Sequence, residues 1–215
     1  MIFPKIEGQP GYVNLALYAP AWLARNGYEQ TDENPLLDPD MCERMVQELH
    51  EELGIAYSYG GWLEDRTELW RGSYLDAMGP HLHLGVDLNV PAGTHVACHR
   101  GGRVLRIDKD NEAHGWGTRI FIRPTDRQDV VLLYAHLGVL SVREMEPIAP
   151  GDVFGLTGPA SANGGWFPHL HVQALSREAY DLFKKEPDAL DGYGPAGERE
   201  QLARLYPDPI PFIGL

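Results

Sequence analysis

The 215-residue sequence predicts a mainly β fold, α+β overall: an antiparallel sheet core with a helical and irregular extension before it and helices after it. Three observations predict it. Between His83 and Leu175 the chain runs in short β-like stretches punctuated by Gly and Pro. Before them, DPDMCERMVQELHEELG has the apolar spacing of a helix, and after them SREAYDLFKKEP and GEREQLARLY have helical patterning. The chain therefore divides into an N-terminal extension (1–79), a β core (80–176) and a C-terminal helical and extended segment packed on that core (177–215).

Each element has a local reason. Residues 1–37 are rich in Pro, Gly and aromatics and read as irregular. The helix over about 39–53 starts with Asp38 as cap and Pro39 at the first helical position, and Gly54 stops it. Met41, Met45, Val46, Leu49 and Leu53 form its apolar stripe, with His50 an ordinary helix residue. YSYGGWLEDRTELWRGSYLDAMGP is dense in Tyr, Trp, Gly and Arg and carries no clear period. THVACHRGGRVLRI reads as two strands joined near Gly101 and Gly102. TRIFIRP and DVVLLYAHL flank the polar turn TDRQ and read as an antiparallel hairpin, HLHVQAL is a further strand, and prolines extend the tail PDPIPFIGL.

Composition narrows function before any motif does. A net charge of −13, spread along the chain, repels phosphate backbones and anionic membranes, so neither a nucleic acid nor a membrane is an expected partner. The two cysteines, Cys42 and Cys98, are too few for a disulfide scaffold and read as free thiols. The first thirty residues lack the pattern of a signal peptide and no stretch is long and apolar enough to span a bilayer, so a cytoplasmic location is expected. The sequence does not specify the oligomeric state.

Only nine histidines occur, yet the tetrapeptide PHLH appears twice, at His81–His83 and His169–His171. The residues downstream share no period, so this is no internal repeat. On a strand, alternate residues face the same way. His169, His171 and Gln173 then share one face, opposite Leu170, Val172 and Ala174; Tyr134 and His136 share another, opposite Leu133, Ala135 and Leu137. His83 and Asp87 would lie roughly 13 Å apart on a straight strand, so a bend at Gly85 is needed to converge them. One carboxylate and two imidazoles suit Zn²⁺ and leave a fourth position for water, whose pKa falls to about 7.

The ordered blocks HLGVDLNVPAGTHVAC, HGWGTRIFIRP with VVLLYAHL, and PGDVFGLTG with PHLHVQ resemble the lysostaphin-type (LytM-like) zinc metallopeptidases over roughly residues 80–175. That resemblance implies a groove-lined zinc site with His83, Asp87 and His171 as ligands. His136 and His169 become the unliganded catalytic pair, assisting attack of water on a peptide carbonyl. The implied function is hydrolysis of a peptide bond in a small or peptidoglycan-derived peptide. A small non-peptide amide as substrate, or a non-catalytic zinc-binding regulator, are the alternatives. His81 lies outside the signature and reads as a surface residue or a supporting partner of a ligand, and His95, His99 and His114 as ordinary surface histidines.

The sequence departs from the family's common form in lacking an export signal or wall-binding module. It also has the longer approach SANGGWFPHLH and Gln173 where many relatives have Glu. That wording is similar to intracellular metallopeptidase-like domains fused to aminotransferases. Trp116, Trp166 and Phe167 are expected either at the groove mouth or in the core. In relatives an N-terminal segment can occlude the zinc and add a fourth ligand, a role open here to Asn14, Asn26 or Asn34.

Overall fold

The computed structural model describes the whole chain except residues 29–32, 111 and 113. The N-terminal region read as irregular is more ordered than expected, although 29–32 fall outside the described residues. It holds β1 (Pro10–Tyr12) and α1 (Leu15–Arg25), the latter containing Pro20. Asn14 caps α1 by accepting from the Leu17 N–H at 3.0 Å, a start signal masked by the surrounding prolines and aromatics. Helix α2 (Pro39–Leu53) has the expected bounds: the Asp38 carboxylate accepts from the N–H groups of Asp40 and Met41, and Gly54 ends it with φ +63°. Its stripe is rotated from the expected one, with Cys42 buried and Leu53 53% exposed. His50 ties α2 to the sheet, since its Nε2 accepts from the Ser58 N–H at 3.0 Å.

The remaining elements are β2 (Tyr57–Gly60), β3 (His81–His83), β4 (Val86–Asn89), β5 (His95–Ala97), β6 (Gly102–Asp110), β7 (Gly117–Pro124), β8 (Val130–Leu140), β9 (Pro147–Ile148), β10 (Val153–Thr157), β11 (Leu170–Ser176), α3 (Arg177–Lys185), β12 (Tyr193–Pro195), α4 (Arg199–Leu205) and α5 (Ile210–Ile213). One sheet runs in the order β1-β2-β4-β11-β8-β7-β6-β9, with β10 pairing both β5 and β8. Every pairing in it is antiparallel except β1 with β2. Strands β3 and β12 form a separate two-stranded ribbon.

The two strands expected in THVACHRGGRVLRI are β5 and β6; β5 pairs β10, and β6 pairs β7 and β9. Between them Gly101 takes φ +66°, and a Cβ there would lie 2.8 Å from Pro150 Cδ and 3.0 Å from the Ile148 carbonyl. The tail is not fully extended, because Pro211 sits in the first turn of α5, where a missing N–H costs nothing.

The central strands are buried on both faces. Val86, Leu88, Ile120, Leu132, Tyr134, Leu170 and Val172 face one core. Phe121, Leu133, Ala135 and Leu175 face another, closed by Tyr180 and Phe183 of α3 and Leu202 of α4. A third cluster joins α1 and α2 through Trp22, Met45 and Leu49, and it takes in Phe167. Both cysteines are buried free thiols. Among the described residues no helix is long and apolar enough to cross a membrane. Replacing Asp38 by Ala removes the α2 cap and is expected to lower unfolding free energy in urea by about 1 kcal/mol without changing the m-value.

Candidate metal centre

Strand register builds the centre. In the β4–β11 pair, Asp87 lies directly opposite His171, and the opposite-facing neighbours Val86, Leu88, Leu170 and Val172 anchor the pair in the core. β3 ends at His83 and β4 begins at Val86, so the chain bends at Leu84-Gly85 as the spacing required. A Cβ on Gly85 would lie 2.5 Å from His171 Nε2 and 2.7 Å from the Val172 carbonyl, so only glycine allows this bend against β11. His83 Nε2 thereby comes to 3.4 Å from Asp87 Oδ1.

Each imidazole is oriented by its far nitrogen. His83 Nδ1–H donates to the Gly61 carbonyl at 3.1 Å. His171 Nε2–H donates to Gln173 Oε1 at 3.1 Å, and the Gln173 amide in turn donates to the Asp191 carbonyl at 3.2 Å. These partners leave the lone pairs of His83 Nε2 and His171 Nδ1 facing inward, 3.0 Å apart, with Asp87 Oδ1 3.0 Å from the latter. Three acceptors converge with no donor among them, which suits a cation at their centre. Zinc–donor bonds of about 2.0–2.1 Å at tetrahedral angles separate ligand atoms by about 3.3 Å, close to the spacing seen. His83, Asp87 and His171 form a group able to hold a metal ion.

His169 and His136 stand beside that group. His169 Nδ1–H donates to the Phe167 carbonyl at 2.8 Å, turning Nε2 inward to 3.7 Å from Asp87 Oδ1. The His136 and His169 ring centroids are 4.6 Å apart. Strict alternation placed Tyr134 and His136 on one face and Leu137 on the other, and here the structure differs. The β7–β8 register gains a residue between Tyr134 and Leu137, so Leu137 joins Tyr134 in the core and His136 turns to the side of His171. His136 takes φ +62° to do so, a strained backbone for a non-glycine residue. Its N–H donates to the Trp116 carbonyl and its carbonyl accepts from the Gly158 N–H, which holds the bulge in place.

Several expected contributors lie elsewhere. Asn14 caps α1, Asn26 closes its end, and the Asn34 amide donates to the Leu69 and Arg71 carbonyls, so none of the three reaches the cluster. His81 is buried and stacks on Trp70, which meets the His83 ring edge-on. Phe167 is core, whereas Trp166 meets His169 edge-on and Trp116 stacks over His136. His95 lies against Lys5, and His99 near the N-terminus.

The residue that sequence reasoning missed is Arg66. It is 1% exposed, and its guanidinium donates to Asp87 Oδ2. Nothing in ELWRGS or LEDRTE separates Arg66 from Arg71 by pattern, so the sequence carried no signal for it.

The electrostatics follow from burial. Burial pushes His83 far below the ordinary histidine range, and the Arg66 charge pushes the same way. Burial likewise depresses His136 strongly, aided by His169 and His171, and depresses His169. Burial opposes ionisation of Asp87, but His83, Arg66 and His169 outweigh it and hold the carboxyl well below its usual range. All these groups favour the less protonated form in the fold, so the unfolded chain binds more protons below the ordinary histidine value. Stability of the metal-free protein is thus fully present above about pH 6.5 and falls as the pH drops below it, by up to about 1.4 kcal/mol per pH unit for each histidine. Urea unfolding at pH 7.5 and 5.5 should show this loss, and equal stabilities would contradict it.

Residues 81–181 match the family model described as Peptidase family M23. Among solved structures, the catalytic domain of lysostaphin from Staphylococcus simulans is 20% identical, covering 79% of this chain and 98% of that one with a TM-score of 0.49. The catalytic domain of the prophage-encoded protein EnpA from Enterococcus faecalis is 20% identical (45% and 69% covered, TM-score 0.40). A zinc containing peptidase from Vibrio cholerae is 28% identical (46% and 28% covered, TM-score 0.38). Among curated protein sequences none matches. The matched segment begins at His81 and runs through Asp87, His136, His169 and His171, so the whole histidine–aspartate cluster lies in the part of the chain that is similar to Peptidase family M23.

Proposed function

We propose that the protein is a zinc-dependent hydrolase of peptide bonds, acting on a small or peptidoglycan-derived peptide, with His83, Asp87 and His171 as the zinc ligands. The observation that carries this reading is the convergence of three lone-pair acceptors, each backed by a partner on its far side, within the segment that matches family M23. When bound, Zn²⁺ supplies Lewis acidity toward a carbonyl and acidifies water.

The chain's own residues do the rest. His136 and His169 are neutral near pH 7, because burial depresses both, and so can accept a proton. His169 has its Nδ1 proton fixed on Phe167, which leaves Nε2 as its working atom. His136 has a buried Nδ1 without a partner and is held rigidly by its bulge, so it is placed to orient water or stabilise developing negative charge. The buried setting strengthens each of these interactions relative to water.

One observation favours a short substrate. His83, Asp87, His169 and His171 are all buried, and rings of Trp70, Trp116 and Trp166 stand around them. A compact peptide, or a small non-peptide amide, fits such a site better than a long extended chain.

Metal analysis of the purified protein is expected to give one zinc per chain and a loss of most of it in His83→Ala; unchanged zinc content in the variant would remove His83 from the ligand set. Incubation with muropeptides, glycine-rich peptides, dipeptides and simple amides identifies the substrate class. Asn tolerates positive φ, so His136→Asn should fold at least as stably as the native protein while losing about 10²–10⁴-fold in kcat. Full activity in that variant would exclude His136 from the chemistry.

A further inference from the structure

The N-terminal extension, outside the segment that matches the family, places a buried cation on Asp87. Arg66 comes from the turn region between β2 and β3, and its guanidinium donates to Asp87 Oδ2. Its surroundings fix it. Glu64 Oε2 lies 3.7 Å from the guanidinium, the Trp70 ring lies beneath it at 5.2 Å, and Gly61 leaves it room. A Cβ on Gly61 would fall 2.2 Å from Arg66 Nη2 and 2.7 Å from His83 Nδ1. Glu64 is itself anchored outward, since its Oε1 accepts from the Ala16 N–H in the first turn of α1 at 3.0 Å. A continuous polar chain thus runs from the start of α1 through Glu64 and Arg66 to Asp87.

The two oxygens of Asp87 therefore have separate partners. Oδ2 is taken by Arg66, whereas Oδ1 faces His83 Nε2 at 3.4 Å, His171 Nδ1 at 3.0 Å and His169 Nε2 at 3.7 Å. A carboxylate without such a partner can offer both oxygens to a cation.

We infer that Arg66 is a positioning residue that restricts Asp87 to offering one oxygen to the metal, so that the N-terminal extension sets how open the metal centre is. This rests on the metal reading above. Arginine suits the task because its planar fork stays charged when buried: burial opposes the charge, and the carboxylates of Asp87 and Glu64 outweigh that cost. Removing it frees Oδ2, and Asp87 then supplies a second oxygen at the expense of the vacant position that a substrate needs.

The test uses the full chain loaded with Co²⁺, whose visible absorption per bound ion is strong when four-coordinate and weak at higher coordination. Arg66→Met is expected to lose most of that absorption and most of kcat, with KM little changed. Arg66→Lys, which keeps a charged donor, is expected to recover absorption and activity in part. Metal-free thermal melts report any purely structural contribution separately. If Arg66→Met does not fold, the comparison moves to Arg66→Gln, a neutral donor, against Arg66→Lys, with absorption lower in the former. Native absorption per bound ion in folded Arg66→Met, or in both Arg66→Gln and Arg66→Lys when Arg66→Met fails, overturns the inference. Native protein that binds neither Co²⁺ nor Zn²⁺, or binds them equally well as His83→Ala, would instead be a failure of the metal reading.

Discussion

A carboxylate taken out of water costs several kcal/mol unless charges and donors replace its hydration, and Asp87 sits at 2% exposure in the middle of a sheet. Everything around the centre answers that cost. Arg66 covers one oxygen, the other faces His83 and His171, and the β4–β11 register makes the opposition with His171 unavoidable. A one-residue slip would exchange Asp87 for Val86 or Leu88 and bury the wrong face. The apolar neighbours thus do more than fill a core, because they fix which side chains meet.

This dependence also explains where sequence reading succeeds. Asp87, His83 and His171 lie in regular strands or at a bend marked by glycine; the family resemblance named them together, and the bend that the spacing of His83 and Asp87 required is present. Period-two logic places Leu170, Val172 and Ala174 on the opposite face, as found. It fails at His136, because a bulge of one residue inverts parity and no local residue type announces it. It fails for α1 because Pro20 and the surrounding prolines and aromatics disguise a helix that Asn14 caps. Arg66 is illegible for a different reason: its role arises only when residues twenty-one apart in sequence meet in a buried space. Pattern reports local preference, and compensation of a buried charge is a property of the assembled fold.

Strain and support are paired at the centre. His136 occupies a left-handed backbone conformation, a cost of about 1–3 kcal/mol, and two backbone hydrogen bonds hold it there. Gly61 and Gly85 allow approaches that any side chain would block. The extension contributes directly through Gly61, Glu64 and Arg66, so the sheet edge formed by β1 and β2 is continuous with the chemistry rather than an appendage to it.

Anomalous diffraction at the zinc edge from crystals of the zinc-loaded protein addresses the central claim most directly. The account predicts one strong peak about 2.0–2.2 Å from His83 Nε2, Asp87 Oδ1 and His171 Nδ1, with Asp87 Oδ2 still on Arg66. A peak bound through other atoms, or none at this cluster in protein that retains its zinc, would contradict it.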